Sequence, residues 1–145
     1  MVDFPSAQEI EILPRRLPGL LAVPKGAKGI VVFAHGSGSS RLSPRNTHVA
    51  RALNEKGLAT LLFDLLLPEE AEDRRNVFDI ALLGSRVEES LYWIRTEPGL
   101  ARLAVGLFGA STGAAAALTA AARRPDRDIA RGRLVRPIFG KGLRA

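Results

Sequence analysis

Three continuous apolar runs of strand length recur along the chain, at residues 30–34, 59–63 and 103–108. A strand that is buried on both faces needs apolar side chains at every position, so runs of this kind are typical of parallel sheets. Each run is followed by a stretch with helical periodicity. This alternation predicts an α/β fold with a mostly parallel sheet and helices on both faces.

Capping residues mark where the first two predicted helices begin and end. Ser43 and Pro44 suit the N-cap and first position of one helix, and Gly57 suits its end. Asp79 suits the N-cap of a longer helix that ends before residues 98–99.

Shorter patterns surround this framework. Residues 9–12 and 20–23 predict an antiparallel edge hairpin with a turn near Pro18 and Gly19. The acidic stretch 69–75 is predicted to be a loop.

Composition excludes several classes of protein. Cysteine is absent, which excludes disulfides, zinc–thiolate sites and a thiol nucleophile. Residues 1–11 contain no apolar signal-peptide run, and no segment approaches about 18 continuous apolar residues. We therefore expect a cytoplasmic protein that does not bind membranes.

The net charge of +6 is concentrated at one end of the chain. Residues 1–122 carry equal numbers of basic and acidic side chains, so the excess lies in residues 123–145. That region has a single aromatic residue, Phe139, and no recognition motif, which argues against specific nucleic-acid binding. We predict one partial domain over residues 1–125 and a basic, irregular tail over 126–145, in which residues 134–135 and 138–139 could pair briefly.

A G-x-S-x-G motif follows the third apolar run and precedes an Ala-rich helix, with Ser111 at its centre. A sharp strand-to-helix turn exposes such a serine as a nucleophile, and Gly109 and Gly113 permit the tight bend. The helix that begins near Thr112 directs its free N–H groups at the reacting oxygen. The alternative is a glycine-containing turn that only lets the helix pack closely.

A second glycine-rich segment follows the first apolar run and consists of His35, Gly36, Ser37 and Gly38. Hydrolases with a G-x-S-x-G turn take one oxyanion donor from this position and the other from the residue after the nucleophile. We therefore predict the main-chain N–H groups of Ser37 and Thr112 as the oxyanion hole. The alternative is a loop that only connects two elements.

Residues from about 8 to 125 resemble the first half of an α/β-hydrolase, closest to the dienelactone-hydrolase-like branch. The resemblance is carried by GIVVFAHGSGSSRLSPRN, GLATLLFDLLLPEE and LAVGLFGASTGAAAALTAAARRP. It implies a three-layer fold and hydrolysis of a small-molecule ester or lactone by a Ser–His–Asp triad, with no metal or organic cofactor. The founding activity of the family uses cysteine, so the serine here argues against dienelactone itself as the substrate.

The remaining members of such a triad have no evident source. The family order is Ser, then an acid, then His, yet no histidine follows Ser111 in the sequence. Asp126 and Asp128 lie beyond a helix roughly 20 Å long. We expect His35 to shape its loop and His48 to lie on the surface.

Asp64 is expected to order the end of its strand rather than to act in catalysis. The sequence thus predicts an incomplete or inactive hydrolase, truncated after the helix that follows Ser111. A truncated or frameshifted coding sequence would explain the change of character near residue 123.

Two other functions fit parts of the sequence. Residues 36–40, with Arg41 and Arg45 nearby, could form a small module that binds an anion or a phosphate ester. Alternatively, a second polypeptide could complete a half-domain. An unpaired strand at 103–108 would also be an open edge through which the chain could self-associate.

Overall fold

The computed structural model describes residues 7–123 in full and the backbone of residues 135–139. These residues form six strands and five helices. In chain order the elements are β1 (Gln8–Ile12), β2 (Leu17–Ala22), β3 (Gly29–Ala34), α1 (Pro44–Glu55), β4 (Ala59–Phe63), α2 (Pro68–Ala71), α3 (Arg74–Val77), α4 (Ile80–Thr96), β5 (Ala104–Gly109), α5 (Thr112–Ala122) and β6 (Val135–Phe139).

The strands form one mixed sheet in the order β1-β2-β4-β3-β5-β6. The pairs β3–β4, β3–β5 and β5–β6 are parallel, whereas β1–β2 and β2–β4 are antiparallel. The predicted mostly parallel α/β sheet and its antiparallel edge hairpin are both confirmed.

Helices cover both faces of the sheet, which gives three layers. On one face α4 and α5 pack against a large core, and on the other α1 covers a smaller one. The smaller core includes Phe33 and Phe108, whose ring centroids are 4.9 Å apart. No helix within residues 7–123 combines the length and apolar character that crossing a bilayer requires.

The predicted caps are confirmed. Ser43 Oγ accepts a hydrogen bond from the Asn46 N–H at 3.3 Å, and Asp79 Oδ1 accepts one from the Leu82 N–H at 3.1 Å. Gly57 follows α1 with a φ of 83°, a conformation that favours glycine.

The predicted position of the first turn was wrong. Residues 13–16 form the turn, and Arg16 adopts a φ of 63° there. Pro18 and Gly19 belong to β2 instead, where Pro18 lies opposite Glu11. The Pro18 carbonyl also accepts a hydrogen bond from the Asp64 N–H at 2.9 Å. This bond to a distant residue helps to hold Pro18 in a strand, and the local Pro-Gly pattern could not predict it.

The acidic stretch 69–75 is not a simple loop, because it contributes to the two short helices α2 and α3. Glu70 Oε1 accepts the Leu67 N–H at 2.9 Å, which caps the start of α2. Asp73 Oδ1 accepts the Arg75 N–H at 2.9 Å and caps α3 in the same way.

The prediction of an open edge at 103–108 was wrong, because β6 pairs with β5 from Val105↔Val135 to Gly109↔Phe139. Self-association of the chain and completion by a second polypeptide stay predictions, but an unpaired β5 is not the edge that would support them. A parallel neighbour follows a crossover, and local periodicity does not reveal such long-range pairing. The tail that was predicted to be irregular therefore contains a strand. The rest of the tail, and the predicted domain boundary near residue 125, lie outside the described residues.

Candidate active site

Ser111 lies at a sharp bend between β5, which ends at Gly109, and α5, which begins at Thr112. Its side chain is exposed, and its backbone adopts a φ of 58° and a ψ of −130°. Residues with a Cβ atom rarely adopt this combination of φ and ψ, so the surrounding structure must hold Ser111 in a strained backbone conformation. The sequence motif predicted this bend.

Two glycines make the bend possible because main chain passes directly over them. A Cβ atom on Gly109 would lie 2.6 Å from the Gly113 carbonyl oxygen and 2.8 Å from Ala114 Cα. A Cβ atom on Gly113 would overlap the Ala34 carbonyl oxygen and lie 2.6 Å from that of His35. The start of α5 is therefore packed directly against the end of β3.

The glycine-rich segment after β3 faces Ser111. β3 and β5 are parallel neighbours with Ala34 opposite Gly109, so the residues that follow both strands emerge side by side. A Cβ atom on Gly36 would lie 3.3 Å from Ser111 Cβ and 4.0 Å from Ser111 Oγ. The structure thus brings Ser111 together with the segment 35–38, as the sequence predicted.

The two main-chain N–H groups predicted as oxyanion donors border the same space. Ser37 and Thr112 both line a cavity that Gly36, the neighbour of Ser111 across the bend, also lines. Within residues 7–123, neither N–H donates a hydrogen bond to a protein acceptor. Gly38, with a φ of 73°, and the 3.2 Å bond from the Ser39 N–H to the Gly36 carbonyl turn the loop around this space.

His35 binds main chain through both ring nitrogens. Nε2 accepts the Leu65 N–H at 3.0 Å, so it carries no proton, and Nδ1 then donates to the Gly36 carbonyl oxygen at 2.9 Å. Burial lowers the pKa of His35, although the Gly36 bond and the charge of Asp64 oppose this shift. The imidazole is neutral, and neither nitrogen is free to take a proton from Ser111.

Asp64 and Arg41 hold the loop after β3 against the end of β4. Asp64 accepts the Arg41 N–H at 2.8 Å and the Arg41 guanidinium at 2.7 Å. Arg41 is therefore already neutralised, and Arg45 is exposed on α1. An anion-binding role for residues 36–40 loses one of its two proposed cations.

Within residues 7–123, no histidine or carboxylate forms a hydrogen bond with Ser111 Oγ. His48 is exposed on α1, as predicted for a surface histidine. Asp126 and Asp128 lie outside the described residues. The catalytic roles assigned to Ser111, Ser37 and Thr112 from the sequence stay predictions, although the structure places these residues close together.

A cavity of about 540 Å³ opens beside this arrangement. It is lined by the segment 35–40 and Thr112, and by residues from the stretch between the end of β4 and the first turn of α4, namely Asp64, Leu65, Leu66, Pro68, Ala71, Arg74, Val77, Phe78 and Leu83. The volume lies within the range of roughly 300–1,000 Å³ that is usual for small-molecule sites.

A buried ion pair holds the outer wall of the cavity in place. Arg86 on α4 is 2% exposed, and it donates to both carboxylate oxygens of Glu70, at 2.8 and 2.6 Å, and to the Leu65 carbonyl oxygen at 3.2 Å. These bonds from Arg86 lower the pKa of Glu70 to about 2, and the pKa of Arg86 is raised in turn. The sequence analysis missed this pair, although a charge between Leu83 and Val87 on an apolar helix face signals a buried partner.

Several known proteins are similar to this chain in sequence or in fold. No protein-family model matches the sequence. The chain is 57% identical, over 117 residues, to a protein of Mycobacterium tuberculosis strain H37Rv provisionally named a phosphoribosyl transferase. The match covers 79% of this chain but 26% of that protein, so the chain spans about a quarter of its length.

Two solved structures share the fold. The crystal structure of dienelactone hydrolase from Anabaena variabilis ATCC 29413 matches with a TM-score of 0.77 and 43% identity, over 94% of this chain and 73% of that one. A dienelactone-hydrolase-like promiscuous phosphotriesterase from metagenomic libraries matches with a TM-score of 0.65 and 19% identity, over 82% and 54% of the two chains.

Proposed function

Because the chain belongs to the dienelactone hydrolase family of α/β-hydrolases, we propose that it acts on a carboxylic ester or lactone, with Ser111 as the nucleophile. The observation that carries this proposal is the positive φ of Ser111 at a strand-to-helix bend that faces Gly36. A strained bend that exposes a hydroxyl beside free main-chain N–H groups supports nucleophilic catalysis better than a packing role.

In the proposed reaction, Ser111 Oγ attacks the carbonyl carbon and its proton passes to a base. The Ser37 and Thr112 N–H groups donate to the oxyanion of the tetrahedral intermediate, and the N-terminal end of α5 adds its favourable dipole. Collapse of the intermediate expels the alcohol, which takes up a proton. Water then attacks the acyl group in the same way, releasing the acid and restoring Ser111.

The base in this scheme is the weak point of the 145-residue chain. His35 is committed to main-chain bonds and His48 lies on α1. We infer that a buffer or solvent base takes the proton in the 145-residue chain. Loss of triad members costs about a millionfold in turnover. An oxyanion hole with binding alone retains about 10³–10⁴-fold catalysis over water. We therefore infer slow, base-limited acylation.

Hydrolysis of p-nitrophenyl acetate tests the proposal. We expect a slow release of p-nitrophenol that Ser111→Ala abolishes and that Ser85→Ala, a change on α4 away from the cavity, leaves unchanged. Equal rates in the wild-type chain and Ser111→Ala would refute Ser111 as the nucleophile. Fast turnover that depends on Ser111 would instead refute the inferred lack of a base.

Phosphoryl or phosphoribosyl chemistry gains no support from the site. Arg41, a cation that could bind a phosphate, is already paired with Asp64. The M. tuberculosis relative with the phosphoribosyl transferase name matches this chain over only 26% of its own length, so its name does not identify the chemistry of this segment.

A further inference from the structure

The geometry points to a neutral, apolar acyl chain as the group that occupies the cavity beside Ser111. This inference rests on the proposed function and specifies its substrate class, namely esters of uncharged aliphatic or aromatic acids. Phe78 is assigned as the side chain that sets specificity for the length of the acyl group.

The outer wall of the cavity is apolar. We use this name for the lining residues that lie outside the segment 35–40 and Thr112, and its apolar members are Leu65, Leu66, Val77, Phe78 and Leu83. An acyl chain that enters this space removes its own methylene groups from water and covers these side chains as well, which is the main source of affinity in such sites.

The charges at the cavity are unsuited to a negatively charged substrate. Asp64 lines the cavity and is paired with Arg41, so this pair carries no net charge that would attract an anion. The buried guanidinium of Arg86 is neutralised by Glu70. Arg74 is the other charged residue of the wall, and it is exposed at the start of α3. Water screens an exposed charge of this kind strongly.

Phe78 gives the cavity a rim that a bound chain would cover. Its side chain is 53% exposed although it lines the cavity. It lies between α3 and Asp79, the N-cap of α4, so its backbone is fixed at both ends. A long acyl chain reaches this ring, whereas a short chain beside Ser111 contacts the inner wall alone.

Binding of non-hydrolysable methyl ketones to the wild-type chain tests the inference without requiring turnover. We expect the Kd, measured by NMR titration, to fall by up to about fourfold per added methylene from 2-butanone through 2-hexanone to 2-octanone. Octanoate, which has the same number of carbon atoms and a charged head, should bind more weakly than 2-octanone, and Arg74→Gln should not change this order.

Phe78→Ala should raise the Kd of 2-octanone by about tenfold and leave the Kd of 2-butanone unchanged. Tyr92→Ala, which removes an exposed aromatic ring from α4 outside the cavity, serves as the control and should change the Kd of neither ketone. Phe78→Leu retains an apolar side chain and should recover most of the affinity. This variant separates loss of contact from any loss of folding in Phe78→Ala.

A Kd that is independent of chain length would overturn the inference. Tighter binding of octanoate than of 2-octanone, lost in Arg74→Gln, would also overturn it and would identify an anionic substrate. The p-nitrophenyl acetate assay keeps the two proposals apart. Ser111-dependent release with a flat ketone series rejects the acyl-chain assignment alone. A steep ketone series without Ser111-dependent release rejects the nucleophile and leaves the cavity assignment standing.

Discussion

Replacing Ser111 by glycine should stabilise the protein, although it removes the proposed nucleophile. Ser111 has a φ of 58° and a ψ of −130°, a conformation that costs a side-chain-bearing residue about 1–3 kcal/mol. Glycine adopts this region without that cost, but it loses about 0.5–1 kcal/mol of unfolded-state entropy relative to alanine. The net expectation for Ser111→Gly is a gain of about 1 kcal/mol in the free energy of unfolding.

Ser111→Ala is the matched comparison, because it retains Cβ and therefore the strain. We expect its free energy of unfolding to remain within about 0.5 kcal/mol of wild type, as for most exposed substitutions. Urea unfolding followed through Trp93, the only tryptophan and a buried one, measures both variants on the same signal.

The same pair of substitutions at Ser85 supplies a control of opposite sign. Ser85 lies inside α4, where glycine is less stable than alanine by about 1 kcal/mol. If Ser111→Gly is no more stable than Ser111→Ala, the bend stores no strain and the reasoning is wrong.

Three further changes test other parts of the structure by urea unfolding. The Arg86 guanidinium lowers the pKa of Glu70 from its ordinary value of 4.5 to about 2 in the folded protein, so the stabilising contribution of this carboxylate is full above pH 4.5 and is lost as the pH falls toward 2. Glu70→Gln should therefore cost about 2 kcal/mol at pH 7, after allowance for its partial exposure, and almost nothing near pH 2; a constant difference would contradict this. Gly113→Ala should lower the free energy of unfolding by about 3 kcal/mol because the new Cβ atom meets main-chain atoms. A loss below about 0.5 kcal/mol would contradict the close approach of α5 to β3. Thr112 Oγ1 is buried and has no hydrogen-bond partner among residues 7–123, so Thr112→Val should be neutral or stabilising by up to about 1 kcal/mol; a loss above about 1 kcal/mol would contradict this.

Local signals in the sequence predicted the framework of the site. The continuous apolar runs identify β3, β4 and β5, because strands buried on both faces require them. Ser43 and Asp79 cap their helices with side chains a few residues from their partners. The bend at Ser111 is equally local, since small residues on both sides make it possible.

Features that depend on distant partners were not predicted. The pairing of β5 with β6 joins segments about 30 residues apart, and no local pattern specifies it. Arg86 and Glu70 are 16 residues apart on different helices, so their pairing follows from how α2 and α4 pack. Both short helices α2 and α3 fall below the length at which periodicity is informative. The contribution of these two helices to the cavity wall therefore could not be predicted from the sequence.

Labelling with a fluorophosphonate, followed by intact-protein mass and peptide mapping, tests most directly whether Ser111 is a nucleophile that lacks only a base. We predict one adduct, located on Ser111, that forms slowly in plain buffer and faster in proportion to added imidazole. Ser111→Ala should acquire no adduct under either condition. An adduct at another residue, or labelling of Ser111→Ala at the wild-type rate, would contradict the assignment of this bend as the reactive centre.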